Sequence, residues 1–356
     1  MKAVVRPFKR GDQEGFVRLR TLTYPRHHLE PSDIERDFSV WRWLETHPLA
    51  NQFHRWVVAT EEQEIVGHLA ATPQFYRING QRVVAHTPAD YMALPRYGFQ
   101  ALSLMRTFFR TCDNCVACDQ EQKAVRIEKR MGAEEVGTLR YAAKLLDLTQ
   151  LPKLPKSVPM SIPSLFNRGL RVIDRALLGS FGGDVEVNVV EEFNESFDKL
   201  FENIASNVPC LPEKDAAFLR WRYGPGSPQA PVTVLGARSE ESLVGYAVLQ
   251  VTSRPPIYGY LLDLMALPGR NDVAGVLLRD SVKHFVEAEV YGIRYQFLES
   301  PTAPLTKDVW RLGFFPERNP NTLLIKFAES NLHETARDPR KWVYSAGDGE
   351  ASFWVM

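Results

Sequence analysis

Asp90-Tyr91-Met92-Ala93-Leu94-Pro95 recurs as Asp263-Leu264-Met265-Ala266-Leu267-Pro268. The two hexapeptides differ only at their second position. Each ends a β-rich run and precedes a run of helical period, so a fixed junction, strand then proline then helix, is used twice. Working upstream, VVATEEQEIVGHLAAT pairs with TVLGARSEESLVGYAVLQ as two strands around a polar turn, with Gly67 matching Gly245. Farther up, the RWL of Arg42–Leu44 matches the RWR of Arg220–Arg222, which sets Trp43 against Trp221. Downstream, EKRMGAEEVG matches VWRLGFFPER, with Gly132 and Gly313 as stop signals after a short helix. Four anchors in one order at nearly constant spacing make the chain a tandem repeat.

The reading predicts, for the first copy, helices over 13–26 and 31–46, strands over 54–60, 64–77 and 81–94, a helix over 98–112, a strand over 115–119, a helix over 121–131 and a last strand over 134–147. The fold class is mixed α/β. Domains are expected at 1–150 and 184–330, joined by a proline-rich linker and connector helix over 151–183 and followed by a tail over 331–356. The connector helix carries Arg168, Arg171 and Arg175 beside apolar residues and reads as an amphipathic segment packed on a domain.

Composition agrees with two ordinary cores. A chain of 356 residues exceeds one domain of roughly 100–200 residues. Lys plus Arg equals Asp plus Glu at 43 each, so no summed field favours nucleic acid or an anionic membrane. The N-terminal MKAVVRPFKRGDQEGF has no apolar segment before a cleavage site, and no apolar run is long enough to span a bilayer. A cytoplasmic protein is expected. Cys112, Cys115 and Cys118 form a C-x2-C-x2-C run that invites a metal. Without a nearby fourth ligand, and across a helix–strand junction, they read as buried apolar residues, and no metal is expected.

The order of elements, with the strand–Pro–helix junction at Leu94-Pro95, resembles the GCN5-related N-acetyltransferase (GNAT) superfamily over most of both copies. Arg6-Pro7-Phe8 with Gly11-Asp12 is similar to the opening of that fold, and Val58 to Arg110 carries the closest match. AAFLRWRYGPGSP, GYLLDLMALPG, WRLGFFPER and the terminal KWVYSAGDGEASFW resemble tandem GNAT-like proteins associated with bacterial polysaccharide or envelope biosynthesis. The resemblance implies two tandem GNAT-like domains, each a mostly antiparallel sheet flanked by helices. It also implies acetyl-CoA or another acyl-CoA as co-substrate and a small-molecule amine or amino sugar as acceptor.

In such a fold a bulged strand splays from its parallel neighbour, and the pantetheine amides pair with the backbone groups left over. The next helix offers its first N–H groups to pyrophosphate. Carried onto this sequence, the coenzyme residues are Ala93, Leu94, Arg96, Gly98, Phe99, Gln100 and Ala101. Both turns depart from the usual Arg/Gln-x-x-Gly-x-Gly/Ala. Gly98 keeps close approach available in the first, whereas Asp272 in the second repels a pyrophosphate, so the working site is expected in the first copy.

Acyl transfer needs a base for the amine proton and an acid for the leaving thiolate. The implied base is Asp90, with His86 four residues earlier on the same face by period two. The competing reading makes Asp90 and Asp263 bulge-holding residues shared by both copies. The family's acid, a Tyr on the helix after the next strand, is replaced by Glu128, which leaves Tyr97 or Tyr91 as substitutes. Glu121 either lines the acceptor cleft or caps the helix behind it. Two other functions fit the sequence. One is a catalytically silent tandem GNAT acting as a binding module; the other is a Fem-type aminoacyl-tRNA-dependent transferase, which would show a basic surface or helical arm.

Overall fold

The computed structural model describes residues 3–25, 31–119, 121–150, 167, 169, 185–317 and 321–355. They form two units, one of residues 1–137, 226–228 and 322–337, the other of 138–225, 229–321 and 338–356.

In the first unit the chain runs β1 (Ala3–Pro7), α1 (Gln13–Thr23), α2 (Pro31–Leu44), β2 (His54–Thr60), β3 (Ile65–Ile78), β4 (Gln81–Ala93), α3 (Gly98–Thr111), β5 (Cys115–Asp119), α4 (Gln122–Arg130) and β6 (Glu134–Thr138). In the second it runs β7 (Arg140–Leu145), β8 (Glu186–Val189), α5 (Glu195–Ala205), β9 (Cys210–Pro212), α6 (Ala216–Tyr223), β10 (Thr233–Ser239), β11 (Ser242–Val251), β12 (Tyr258–Ala266), α7 (Asn271–Glu287), β13 (Gly292–Phe297), α8 (Thr306–Arg311) and β14 (Phe315–Pro316). It then returns to the first unit as β15 (Thr322–Lys326) and α9 (Ser330–Ala336).

Local chemistry accounts for these elements. The β3–β4 hairpin closes on Asn79-Gly80, both at positive φ, 51° and 79°, as a tight hairpin turn requires. Helix α3 turns Leu104, Met105 and Phe108 inward at helical spacing, where they join Trp56, Leu69, Cys115 and Leu324 in the core. Burying each such side chain contributes about 1.5–3 kcal/mol. Glu121 is the N-cap of α4, accepting from the Lys123 amide at 3.3 Å. Asp215 caps α6 through the Phe218 amide at 2.7 Å.

The sheet orders are β1-β2-β3-β4-β5-β15-β6 in the first unit and β14-β7-β13-β12-β11-β10-β8 in the second. They correct the expected domain limits of 1–150 and 184–330. The stretch 134–147 is two strands, and β7 pairs with β13, Arg140 facing Phe297 and Leu145 facing Gly292. In return β15 pairs with β5, Thr322 facing Asp119 and Lys326 facing Cys115. Each unit thus borrows its strand from the other half of the chain. The reason is generic: a short apolar strand such as TLLIK, buried along most of its length, satisfies any complementary sheet edge, and pattern alone does not name the edge. The expected tail over 331–356 is divided likewise, with α9 in the first unit and 338–356 in the second.

The expected connector helix with Arg168, Arg171 and Arg175 lies outside the described residues. Among the described residues, no helix is long and apolar enough to cross a membrane.

Candidate active site

In the first unit β4 carries a bulge. Gly67 faces Ala93 and His68 faces Met92, but Ala70 already faces Ala89, so Asp90 and Tyr91 together oppose Leu69. Asp90 takes up the irregularity with a φ of 53°. On its other edge β4 meets β5 in parallel at one point, His86 opposite Cys115, supported by the His86 amide on the Asn114 carbonyl at 3.0 Å. The Thr87 hydroxyl reaches the Val116 carbonyl at 2.8 Å. From Pro88 onward the ladder with β5 stops, as expected of a splayed strand.

The bulge also separates two residues that strand alternation would place together. Leu69 packs with Leu104 and Phe108 of α3, while its neighbour His68 meets Phe16 of α1 and Trp41 of α2, so these helices cover opposite faces. Asp90 is held by Arg20 of α1, which also pairs with Asp37 of α2 at 3.0 Å. His86 turns to the α3 face, stacking on His54 at 5.9 Å between ring centroids. Asp90 and His86 therefore do not share a face. The inserted residue reverses the alternation at that point.

Asp90 is buried, and burial pushes its carboxyl up while Arg20 pulls it back. His86 is buried as well, and burial moves its pKa down, which keeps the ring neutral. Its Nε2 lies 3.0 Å from the Gln52 carbonyl oxygen. A carbonyl only accepts, so Nε2 carries the proton and Nδ1 presents a lone pair, buried and without a hydrogen-bond partner among the described residues. Gln52 was not foreseen from sequence, because a main-chain contact leaves no residue-type signal.

Tyr97 is 3% exposed with its ring in the apolar core beside Leu104 and Phe108. Tyr91 differs. Its hydroxyl is buried without a hydrogen-bond partner among the described residues, and burial together with the nearby Glu128 carboxyl pushes its pKa up to about 12. Glu128, on α4, is fully buried.

At the junction after β4, Pro95–Tyr97 make a single turn before Gly98 opens α3. A methyl group added at Gly98 would meet nothing within 4 Å, so the space beside its Cα is open. Arg96 and Phe99 beside it are exposed. A cleft of 820 Å³ on this unit runs from Gln100 along α3 and β1, and includes neither Asp90 nor His86.

The equivalent place in the second unit is closed. β12 pairs in parallel with β13 from Tyr258–Gly292 to Leu261–Tyr295, then bulges at Leu262. Counting from Gly67–Ala93 and Gly245–Ala266, Asp263 stands where Asp90 stands. Beyond the bulge the C-terminal segment enters. The Leu298 amide bonds to the Tyr344 carbonyl at 3.0 Å, and Ser345 bridges to Phe297. Any side chain at Gly347 would come within 2.9 Å of the Leu262 carbonyl oxygen, so the backbone there lies directly on β12. Lys214 binds both carboxylate oxygens of Asp263 at 2.9 Å and Asp348 at 3.0 Å. Burial opposes its charge, but the two carboxylates outweigh that and hold the Lys214 pKa above its ordinary value. At the head of α7, Asp272 is paired with Arg270 at 2.8 Å.

Cys112, Cys115, Cys118 and Cys210 are buried, and burial pushes Cys112 and Cys210 up to about 12. Among the described residues, no group of three or more His, Cys, Asp or Glu is gathered as a metal site.

No family model and no curated protein matches the chain in sequence. Solved structures do match in fold. A GCN5-related N-acetyltransferase from Anabaena variabilis aligns over 92% of this chain and 73% of its own, with a TM-score of 0.59 at 12% identity. N-myristoyltransferase of Saccharomyces cerevisiae with bound myristoyl-CoA aligns over 91% and 82%, with a TM-score of 0.59 at 11% identity. A probable N-acyltransferase from Enterococcus faecalis aligns over 93% and 74%, with a TM-score of 0.55 at 11% identity. The chain has the fold of these proteins, two GNAT-like units in tandem.

Proposed function

With that fold as premise, we propose that the chain is an acyl-CoA-dependent N-acyltransferase whose working site is the parting of β4 from β5 in the first unit. One contrast carries the reading. Among the described residues the first unit leaves the edge of β4 beyond the bulge out of any ladder with β5, while in the second unit the C-terminal segment bonds to the end of β13 and sets Gly347 against the Leu262 carbonyl of β12.

The residues fit an acyl-CoA. The edge of β4 from Pro88 to Ala93 offers backbone groups to the pantetheine amides, with Ala93 and Leu94 at its end. The first turn of α3, Gly98 to Ala101 with Gln100, offers N–H groups to pyrophosphate, and the exposed Arg96 adds a cation. Phe99, 74% exposed, presents a flat apolar surface beside them. When bound, the acyl-CoA supplies a thioester activated toward an amine.

In this reading His86 is the base. Its Nδ1 lone pair, fixed by the Nε2–H donated to Gln52, accepts the proton of an ammonium acceptor. As the amine attacks the thioester carbonyl and the C–S bond breaks, Tyr91, protonated throughout the neutral range, gives its hydroxyl proton to the departing sulfur and takes back the second proton that the nitrogen sheds on becoming an amide. Asp90 and Arg20 hold the bulge, and Tyr97 is a wall of the core beneath the junction. The acceptor is a small amine; acetyl is the simplest acyl group to test.

Calorimetry with acetyl-CoA and longer acyl-CoAs decides the matter. One site per chain, lost in Gly98→Asp, supports the reading. Absence of binding by every acyl-CoA would make the chain a silent binding module, a reading that the closed second unit already favours for that half.

A further inference from the structure

We propose that the cleft along α3 and β1 is a separate binding site for a small organic phosphate monoester. The cleft measures 820 Å³, within the range of small-molecule sites. Its charged lining is all of one sign, Arg6 from β1, Arg106 and Arg110 from α3, and Lys326 from β15, with no carboxylate among the lining residues. Only Arg6 is neutralised, by Asp12 at 2.7 Å. Arg106 and Arg110 have no ion-pair partner among the described residues, and Lys326 has only the Met131 carbonyl at 3.4 Å and the Phe109 ring.

A solvated helix face explains this arrangement poorly. The cations come from three elements, not one, in a chain whose charges otherwise balance. Arg106 and Arg110 are four residues apart on one helix, a like-charge pairing that destabilises unless a counter-charge sits between them. Proximity to the negative end of α3 explains a preference for Arg110, but Arg106 lies more than one turn from that end. A phosphate between the two guanidiniums, with Lys326 across from it, answers all three groups, and Arg binds phosphate in a fork geometry.

The rest of the lining argues for an organic body on that phosphate. Val5, Trp56, Phe109 and Met131 supply apolar wall, while Ser103 supplies a hydroxyl. An inorganic ion would leave that wall wet.

The test uses the full chain and 2-naphthyl phosphate as probe, with inorganic phosphate as comparison. Calorimetry is expected to show one site for 2-naphthyl phosphate, about 10-fold or more tighter than inorganic phosphate because of the apolar wall. Affinity is expected to fall on the order of 100-fold in the exposed double variant Arg106→Glu, Arg110→Glu, and to fall with added salt. The variant Gly98→Asp is expected to keep this binding, which separates it from the acyl-CoA site. The proposal is overturned if no 2-naphthyl phosphate binds, if the double variant binds as wild type does, or if Gly98→Asp abolishes binding while the double variant retains it.

Discussion

Lys214 donates to both carboxylate oxygens of Asp263 at 2.9 Å, inside a unit where both groups are almost wholly shielded from water. The first unit places Arg20 on Asp90 at the matching position. A repeated aspartate on a bulged strand, each time gripped by a buried cation, is what a structural role demands. Removing one partner strands a buried charge at a cost of about 3–5 kcal/mol. Lys214→Met alone is therefore expected to lower unfolding free energy by that much in urea titrations. Lys214→Met combined with Asp263→Asn and Asp348→Asn should recover most of it, and equal loss in the single and triple variants would contradict this account.

His86→Gln is expected to leave acyl-CoA affinity within about 3-fold of wild type and to slow transfer by about 10²–10⁴-fold, the usual share of a general base. Asp90→Asn should act chiefly on stability. Steady-state kinetics with each variant, beside thermal melts, assigns the roles; the reverse pattern would make Asp90 the base.

Gly98→Asp is expected to fold at least as well as wild type. The added side chain meets open space, and an acidic residue in the first turn of α3 gains about 0.3–1 kcal/mol from the helix dipole. The same charge should cost at least about 100-fold in acyl-CoA affinity. A melt and a titration on one preparation read both, and intact affinity would move the coenzyme elsewhere.

Two buried histidines set an acid limit. His68 and His86 are both moved below their ordinary value near 6.5, chiefly by burial. His68 accepts from Arg55 Nε at Nε2, 3.3 Å away, so its Nδ1–H donates to the Asp90 carbonyl and the ring has no room for a second proton. The unfolded chain binds those protons near pH 6.5 and the folded chain does not. Stability is thus fully present above pH 6.5 and falls as the pH drops below it, by up to about 1.4 kcal/mol per pH unit for each group. Urea midpoints from pH 8 to 5 should follow this slope, and His68→Gln should flatten it.

Much of the architecture was legible because it is local. DxMALP marks the end of β4 and β12 and the turn that leads into the helix after each, and the helix expected over 98–112 is found at Gly98–Thr111. The site was less so. Period two placed His86 with Asp90, and it fails at the one residue where a bulge shifts the count. Asp90 itself keeps its strand position but points to α1 instead of the cleft side. The strand exchange of β7 and β15 was invisible, since apolar alternation identifies a strand and not its neighbour. The C-terminal segment on β12 was hidden for the same reason, because Ser345 and Asp348 meet Asp263 and Lys214 only through the folded chain.

The exchange of β7 and β15 also bears on synthesis. A ribosome finishes β5 long before it reaches Thr322, the first residue of the strand that lies beside it. At about 5–20 residues per second the intervening stretch takes roughly 10–40 s to make. For that interval the nascent first sheet exposes an unpaired edge, the kind that recruits chaperones or aggregates. A fragment ending at residue 150 would keep that edge permanently, so the emergence of Thr322–Lys326, not the end of the first repeat, is the earliest moment at which the first sheet can be complete.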